Sequence, residues 1–490
     1  MTKNTPYSYH NFLFPFLWND DAGVHSRRKF SKCLNENWVM QKDFDNGSNQ
    51  QFSDEKYNQY HYFNPSARQI IYSDGKKSDV VWNYLYNISA EDNARYVIKN
   101  QKDCYELGIS KIRLKLFDTG IGILIFELVN YSHPEPDDIN KINDWGRQIY
   151  SPCMSNGISL ICPDEISLHI GDKTITSDFV NNINSFDTTN LTDVIKSFFT
   201  NITHTVTANR KDVSRKVFYI EPVIDNRMFV TCYYANKRFS DAVSEQSNGE
   251  YAYITSAHQK PLNISIFSNP AADLYKYIYV DGNGLTCQSR TLLRDMLGKE
   301  HVYDRWLEYG SITGICEYSF VTLTSKIHQD DYLVRNFLTQ YLEMIIIILA
   351  QRATLLNFER MISNCAKGKK SISEIHKRYL FFKSQLLLNE ITPQQQGIEL
   401  YNMMLDNMFI PEYSAQIENQ IEDLYAQKTA KNETSENLIL FILATLSIFE
   451  VINICTDWIL NKNSGRIGYS AILFVVLIFV YLLSKIRKKF

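Results

Sequence analysis

Two apolar segments near the C-terminus constrain this chain more than any other feature of its sequence. Residues 437–460 (NLILFILATLSIFEVINICTDWIL) and residues 468–486 (GYSAILFVVLIFVYLLSKI) match the roughly 17–25 residues that cross a bilayer as a helix. The short segment NKNSGRI joins them, so the pattern predicts a transmembrane helical hairpin. The alternative is a hairpin buried in a soluble core, but an uncharged run as long as residues 468–484 is rare in a soluble helix.

Basic residues on either side of the hairpin predict its orientation, because cytosolic loops carry an excess of Lys and Arg. The connecting loop contains Lys462 and Arg466. Basic residues before the first span and at or beyond the end of the second are more numerous: Lys428, Lys431, Lys485, Arg487, Lys488 and Lys489. We therefore expect both termini in the cytosol, with residues 487–490 as a basic tail.

The first predicted span carries a polar stripe. At 100° per residue, four side chains fall within an arc of about 120° on one helix face: Ser447, Glu450, Asn453 and Asp457. Polar groups inside a membrane usually face neighbouring helices or a water-filled path. The stripe therefore predicts a pore lining, formed by copies of the chain in an oligomer. For Asp457, a place in the membrane interface at the end of the helix is an equally good alternative.

Charge and cysteine usage restrict the partners and the compartment. The 51 Lys and Arg residues nearly balance the 54 Asp and Glu residues, for a net charge of -3. This excludes a strongly basic nucleic-acid binder, so no direct nucleic-acid binding is expected. Nine Cys residues are scattered without a zinc-ligand spacing, as is typical of reduced cytosolic proteins.

Residues 1–325 predict an α+β cytosolic domain that senses a ligand. Apolar runs at 111–117 and 121–129 flank a turn sequence, as in a β-hairpin. Further strands are predicted at 157–162, 166–170, 217–224, 228–234 and 275–280. Helices are predicted from 134–138 onward and over 191–200, and the Ser-, Asn- and Gly-rich residues 240–270 predict an exposed loop.

Beyond residue 325 the pattern becomes helical, which predicts a long stalk over 326–436. Thr392-Pro393-Gln394-Gln395 resembles a capping box, so one helix should end near Glu390 before the next begins. The apolar run 344–350 is too short to cross a bilayer and predicts a buried stretch of a soluble helix. The predicted fold class is an α+β domain, a long α-helical stalk and a C-terminal two-helix transmembrane hairpin.

Motifs for enzyme chemistry are lacking in the sequence. It contains no Walker A loop, dinucleotide glycine fingerprint or HExxH motif, so we do not expect an enzyme. Asp118-Thr119-Gly120 matches the triplet of aspartic proteases, and a dimer could pair two such carboxylates. A tight turn between two strands explains the same triplet, and Ile121 replaces the small residue usual after it.

The whole chain resembles a known family. The order of an α+β domain, long helices and two terminal spans resembles CorA-type divalent-cation channels. More specifically, it is similar to the CorA-like membrane proteins associated with type III CRISPR systems. The stretches that carry the resemblance are YSYHNFLFPFLW (7–18), IRLKLFDTGIGILIFEL (112–128), INDWGRQIYSP (142–152), FYIEPVIDNRMFVTCYY (218–234), YGSITGICEYSFVTLT (309–324) and EITPQQQGIELYNMM (390–404).

The resemblance implies a homo-oligomer, most simply a CorA-like pentamer, in the inner membrane of a bacterium. It implies gating by a nucleotide second messenger from the CRISPR polymerase subunit, with no covalent cofactor. The messenger would be an S-adenosylmethionine–AMP conjugate (SAM-AMP) or a cyclic oligoadenylate. The function implied is a messenger-gated channel or membrane-disrupting effector of antiviral defence, with divalent cations among the ions it could bind or move.

One segment departs from the CorA pattern. CorA transporters carry a Gly-Met-Asn signature between their spans, and here the corresponding segment reads NICTDWILNKNSGRIGY. This argues against a constitutive Mg²⁺ transporter of the CorA type, which remains the alternative function.

The ligand implied by the resemblance directs attention to Arg residues for its phosphate and to aromatic and acidic residues for its base and sugar. Two groups lie in the motif-like stretches: Trp145, Arg147 and Tyr150, and Asp225 with Arg227. The alternative for Arg147 is an ordinary ion pair with Asp144.

Overall fold

The computed structural model describes residues 5–20, 26–42, 54–150, 163–179, 191–200, 202–203, 218–247, 270–282, 287, 289–326, 332–366 and 371–460. Its strands are β1 (Ser8–Asp20), β2 (Trp38–Gln41), β3 (Val81–Tyr86), β4 (Arg95–Lys99), β5 (Cys104–Phe117), β6 (Ile121–Asn130), β7 (Glu165–Ile170), β8 (Lys173–Asp178), β9 (Ile202–Thr203), β10 (Phe218–Pro222), β11 (Phe229–Ala235), β12 (Val302–Tyr303), β13 (Ser311–Cys316) and β14 (Ser319–Thr324).

The helices are α1 (Arg27–Phe30), α2 (Asp54–Tyr62), α3 (Pro65–Ile71), α4 (Pro136–Gly146), α5 (Asp193–Lys196), α6 (Lys237–Ser247), α7 (Pro270–Tyr279), α8 (Arg290–Met296), α9 (Tyr332–Asn336), α10 (Leu342–Ala366), α11 (Ile372–Gln385), α12 (Gln395–Asn407) and α13 (Ile410–Leu460). A π-helical turn, Phe337–Tyr341, connects α9 to α10.

One large sheet organises the N-terminal part of the protein. Ten of its fourteen strands follow the order β12-β13-β14-β11-β1-β6-β5-β4-β7-β8, with β10 added beside β1, β9 beside β10, β3 beside β5 and β2 beside β3. The pairs β11–β14 and β9–β10 are parallel and the other pairs are antiparallel. The aromatic N-terminal segment therefore forms the long central strand of an α and β domain.

Both faces of the central strands are buried, which explains why they are apolar at almost every position. Successive side chains of a strand point to opposite faces. Along β1, Phe12, Phe14 and Phe16 enter one hydrophobic cluster, whereas Leu13 and Leu17 enter another. The sheet thus separates two cores, with helices α4, α5, α6 and α7 contributing to the first and α3, α10, α11, α12 and α13 to the second.

Part of the predicted stalk over 326–436 packs against the sheet and does not stand apart from it. Helix α10 contacts β1 and β6, and residues Met344–Ala350 are all buried, as predicted for that run. The helix packs there because its apolar residues surround it on all sides, so it cannot project into water. Helix α13 also packs against α10 and α11 through its first turns, where Ile417 and Ile421 are buried. Beyond Leu424 the side chains of α13 are mostly exposed.

Charged side chains fasten α10 to the sheet. Glu343 pairs with Arg113 at 2.7 Å and with Lys115 at 2.8 Å, both from β5. Burial alone raises the pKa of the Glu343 carboxyl, but the two cations more than reverse this and lower it overall. Arg113 also pairs with Glu127 of β6. The cluster therefore stays charged while it joins the helix to two strands.

Helix α13 is continuous over 51 residues, so the helix before the first predicted span runs into it without a break. At 1.5 Å per residue it is about 75 Å long. Among the described residues, two helical stretches are long and apolar enough to cross a membrane, Tyr332–Cys365 and Ile410–Ile454. The first is mostly buried against the sheet, whereas the apolar window of the second is not buried at all within the chain. The second predicted span, 468–486, lies outside the described residues.

Several sequence predictions agree with the observed elements. The hairpin β5–β6, the helix α4 and the strands β7, β10 and β11 lie where the pattern predicts them. The helical break near Glu390 is present between α11, which ends at Gln385, and α12, which begins at Gln395. The capping box predicted at Thr392 does not form, because the N-cap is Gln394 and the Thr392 hydroxyl donates to the Tyr62 carbonyl at 2.5 Å. Of the helix predicted over 191–200, only α5 forms. The strand predicted at 157–162 lies outside the described residues.

Two element assignments were wrong. Residues 275–280 were expected to form a strand, but residues 275–279 belong to helix α7, because Leu274, Tyr277 and Ile278 are buried at the helical spacing of three and four residues. Residues 240–247 were expected in a loop but extend helix α6, whose Phe239 and Val243 are buried. The rest of that predicted loop, 248–269, lies outside the described residues.

Asp118 lies in the turn between β5 and β6, as the turn interpretation predicts. Gly120 has a φ of 91°, a conformation that favours glycine. The Asp118 carboxylate pairs with the buried guanidinium of Arg27 at 3.2 Å. The triplet therefore has a structural explanation in this chain.

Candidate functional site

A cleft of about 1110 Å³ brings together six separate parts of the chain. It lies where α4 ends, where β11 begins, at the β13–β14 turn, at the ends of α7 and α8, and at the α12–α13 joint. Its lining residues are Arg147, Arg227, Tyr275, Tyr279, Val280, Asp281, Met296, Lys299, Glu300, His301, Cys316, Glu317, Tyr318, Met403, Asp406, Asn407 and Phe409. Two of the sequence candidates, Arg147 and Arg227, are among them.

Arg147 presents a buried, incompletely paired guanidinium to this cleft. Its side chain is 3% exposed, and its Nη2 atom pairs with Asp144 at 3.1 Å and donates to the Val280 carbonyl at 3.2 Å. Within the described part of the chain, its Nε and Nη1 atoms have no hydrogen-bond partner. The predicted alternative, pairing with Asp144, is therefore present but satisfies only one of the three nitrogens.

Burial dominates the electrostatics of this pair. It lowers the pKa of the Arg147 guanidinium, and the nearby charge of Arg227 lowers it further, while Asp144 opposes both effects. Burial also raises the pKa of the Asp144 carboxyl, partly opposed by Arg147. Each group has lost more hydration than its partner replaces, which is the condition in which an added anion would stabilise the arginine.

Arg227 places a second cation beside the first. A backbone bridge joins residues 148 and 227, and the Met228 amide donates to the Arg147 carbonyl at 2.8 Å. The Arg227 guanidinium pairs with Asp225 at 3.2 Å and lies 5.8 Å from the ring centre of Tyr318. Because this side chain is 38% exposed, its ion pair is accessible to water and to a ligand.

Aromatic and acidic residues line the cleft beside the two arginines. Tyr275 and Tyr279 stack with ring centres 4.8 Å apart, and the Tyr279 hydroxyl donates to the Met296 carbonyl at 3.0 Å. The cleft also contains four carboxylates, Asp281, Glu300, Glu317 and Asp406, and one further cation, Lys299. The lining therefore offers aromatic rings that could stack on a base, together with side chains of both charges. Its cations include the buried Arg147 and the partly exposed Arg227.

The end of α12 and the start of α13 form another wall. The Asn407 Oδ1 atom accepts from the His301 Nδ1 atom at 2.6 Å, and the Asn407 amide nitrogen donates to the Glu300 carbonyl at 2.7 Å. Phe409 is 41% exposed and follows Asn407 after a single residue. Helix α13 begins at the next position, Ile410, so this wall is continuous with the helix that contains the predicted membrane span.

Strained backbone is concentrated at the cleft. Among the described residues, three that are not glycine have a positive φ, namely Asn93 (42°), Val280 (52°) and Phe409 (56°). Val280 and Phe409 both line the cleft, and positive φ is especially unfavourable for β-branched and bulky residues. Such conformations cost roughly 1–3 kcal/mol each and tend to cluster at ligand clamps and switch regions.

The other ligand candidates lie elsewhere or contribute indirectly. Trp145 is 5% exposed and packs in the first core, with its ring centre 6.1 Å from that of Tyr105. Tyr150 is partly buried against the same core, and burial raises its pKa. Asp225 reaches the site only through its pair with Arg227.

The predicted pore residues lie on α13. Ser447 and Asn453 are exposed in the single chain, Glu450 is partly exposed, and the Ser447 hydroxyl donates to the Leu443 carbonyl at 2.9 Å. Asp457 is on the same helix, but its side chain is outside the described part. Among the described residues, no group of three or more His, Cys, Asp and Glu side chains could hold a metal ion.

Sequence reasoning missed Val280, His301, Tyr318, Asn407 and Phe409. A Val at the end of a helix and a Phe between two helices carry no local signal of positive φ. The comparisons with models of known protein families, with curated proteins and with solved structures find no match to this chain.

Proposed function

We propose that this protein is a membrane effector of type III CRISPR antiviral defence that opens when it binds a nucleotide second messenger. In this proposal the messenger is SAM-AMP or a cyclic oligoadenylate, and the open state is a channel or a membrane lesion. The protein works as a homo-oligomer, most simply a pentamer, in the bacterial inner membrane, with both termini in the cytosol. Ser447, Glu450, Asn453 and Asp457 line the path for ions.

One observation carries this proposal. The cleft that contains Arg147 and Arg227 also contains Phe409, the residue immediately before α13. A ligand that fills the cleft therefore contacts the residue that precedes α13, a helix that is long and apolar enough to cross a membrane. Few arrangements would couple a cytosolic ligand to a membrane helix over a shorter path.

The composition of the cleft suits a nucleotide. Arginines bind phosphate through several donors at once, and tyrosine rings can stack on a base. The cleft volume of about 1110 Å³ exceeds the roughly 300–1,000 Å³ typical of small-ligand pockets, which leaves room for more than a mononucleotide. Three cations and four carboxylates line it, a balance that favours a ligand with few phosphates over one with many.

Gating follows from differential binding to two arrangements of the oligomer. If the messenger prefers the open arrangement, it shifts the population toward that state. A shift from 1:99 to 99:1 needs a preference of about 10⁴-fold, or about 5.5 kcal/mol, which several subunits can share in an oligomer. Small movements at the α12–α13 joint would reach the membrane through the rigid length of α13.

A constitutive CorA-type transporter of divalent cations is the second candidate. The carboxylates Glu450 and Asp457 on the predicted span favour it, because rings of carboxylates attract cations. The absence of the Gly-Met-Asn signature from the segment between the spans argues against it.

Ion flux through the purified full-length protein in liposomes separates these functions. Flux should appear with SAM-AMP or with one cyclic oligoadenylate and be absent without nucleotide. Divalent-cation flux that is independent of nucleotide would support the transporter and contradict the effector. Absence of flux under every nucleotide would contradict both, and messenger cleavage lost in Asp118→Asn would instead indicate a membrane-anchored hydrolase.

A further inference from the structure

The guanidinium of Arg147 has two donors that are not used within the described part of the chain. Its Nε and Nη1 atoms are buried without a hydrogen-bond partner, and its Nη2 atom is fixed by Asp144 and the Val280 carbonyl. A buried donor without an acceptor is destabilising, and more so when it is charged. The arginine lines the cleft, and because its Nε and Nη1 atoms are shielded from solvent, an acceptor in the cleft reaches one of them once the covering side chains shift.

Arg227 adds a cation whose own partner can be exchanged. Its Nε and Nη2 atoms both contact the Asp225 carboxylate, at 3.3 and 3.2 Å, in a pair that is about one third exposed. A partly exposed pair of this kind contributes little to stability, so little is lost when another anion replaces the carboxylate. Asp225 would keep one hydrogen bond on leaving, because its Oδ1 atom accepts from the Asn226 amide at 2.6 Å.

We propose that Arg147 and Arg227 form a phosphate subsite in the cleft, and that Asp225 occupies Arg227 until a phosphate replaces it. One phosphate oxygen accepts from Nε or Nη1 of Arg147, which lie on either side of Cδ and so cannot both face one phosphate, and the phosphate takes the place of the Asp225 carboxylate on Arg227. This deepens the proposed function and rests on it for the identity of the whole ligand. It assigns the ligand's phosphodiester or phosphomonoester to these two arginines. The Asp225 carboxylate then competes with this phosphate for the Arg227 guanidinium.

The arrangement explains why a buried arginine is given only one carboxylate. A second carboxylate on Arg147 would occupy one of the remaining donors and make it unavailable to a ligand. Asp144 instead holds the guanidinium through Nη2, so that Nε and Nη1 have no partner within the described part of the chain. Val280, in its strained conformation, supplies the second fixed contact to Nη2 and completes the positioning of the arginine.

The subsite can be tested by calorimetry on the full-length protein in detergent, with AMP and adenosine as the probes. AMP should bind more tightly than adenosine, by roughly 10- to 100-fold if two or three charged hydrogen bonds form. Arg147→Gln and Arg227→Gln should each remove most of this difference. Asp225→Asn should instead tighten AMP binding roughly threefold to tenfold and leave adenosine binding unchanged, because it removes only the competing charge.

Arg294→Gln is the matched control, because Arg294 is an exposed arginine on α8 that does not line the cleft. Thermal unfolding of every variant shows whether it folds. If Arg147→Gln fails to fold, Arg227→Gln and Asp225→Asn still decide, since both side chains are partly exposed. Equal binding of AMP and adenosine to the wild type, or AMP binding that Arg227→Gln and Asp225→Asn leave unaltered, would overturn the subsite.

Different experimental results would contradict the phosphate subsite and the proposed function. If a messenger opens the wild type and Arg147→Gln at the same concentration, the effector function stands and the subsite is wrong. If AMP binding follows Arg147, Arg227 and Asp225 as expected but no nucleotide produces flux, the subsite stands and the effector function is wrong.

Discussion

Arg147 and Phe409 line one cleft, although the first follows α4 in the sheet domain and the second immediately precedes the long helix α13. The arginine is fixed by Asp144 and the Val280 carbonyl, whereas Phe409 is held in a left-handed conformation between two helices. One wall of the cleft therefore contains a fixed arginine, and another wall is formed by the connection between helices α12 and α13. This difference makes the joint the part that a ligand can move.

Replacing Phe409 should uncouple the cleft from the membrane helix. In Phe409→Gly the positive φ becomes free of strain and the joint gains conformational freedom. We expect the free energy of unfolding to change by about 1 kcal/mol or less, because relief of strain offsets the loss of a half-exposed ring. AMP should still bind, while nucleotide-dependent flux in liposomes should fall at least about tenfold.

Phe409→Leu is the control for this prediction, because it keeps an apolar side chain and the constraint on φ. It should retain most of the nucleotide-dependent flux. Equal flux from Phe409→Gly and the wild type would show that the joint does not transmit the signal.

Glu450 is expected to face the ion path. Replacing it with Ala removes the charge nearest the middle of the predicted span, so conductance in liposomes or toxicity in cells should change while AMP affinity stays the same. Glu433→Gln removes a carboxylate from an exposed part of α13 before the span and should leave both properties unaltered. Normal conductance in Glu450→Ala would refute a pore role for this residue.

His10 should make the folded domain sensitive to acid. Burial lowers the pKa of this imidazole from 6.5 to about 4, and its nitrogens are engaged by Ser8 at 2.8 Å and Asn143 at 2.7 Å. As the pH falls below about 6.5 the unfolded chain binds a proton that the folded chain excludes until about pH 4. The stability should therefore fall by about 3 kcal/mol over this window.

Urea unfolding at several pH values measures the effect of His10. His10→Gln lowers stability at neutral pH but removes the titrating group, so its stability should depend less on pH between 6.5 and 4 than that of the wild type. Parallel pH profiles for the two proteins would contradict the assignment to His10.

The parts of the fold that could be predicted are those with local signals. The β5–β6 hairpin was predictable because two apolar runs flank Asp118-Thr119-Gly120, and the α11–α12 break because Pro393 interrupts a helical pattern. Helix α7 was missed because Tyr275–Val280 is aromatic and β-branched, and packing on the sheet overrides that local preference. The burial of Met344–Ala350 in α10 was predictable from their apolar run, whereas their contacts with β1 and β6 are encoded by no local pattern.

The candidate site was partly predictable for the same reason. Arg147 and Arg227 could be nominated by their chemistry, whereas their meeting depends on a backbone bridge between residues 148 and 227. Tyr318 and Phe409 come from a hairpin turn and a helix joint far apart in the sequence. Only the folded chain shows that these elements face one cleft.

Glu343 should be essential for the packing of α10 on the sheet. Glu343→Gln leaves Arg113 and Lys115 without the carboxylate they share, and loss of one partner from a buried ion pair costs about 3–5 kcal/mol. Glu374→Gln is the matched control, because Glu374 forms an exposed pair with Arg378 at 2.7 Å within α11 and should change stability by about 0.5 kcal/mol or less. Urea unfolding monitored by tryptophan fluorescence compares the two variants with the wild type. A similar small change in both would mean that the apolar contacts of α10, and not the charge cluster, hold this helix against the sheet.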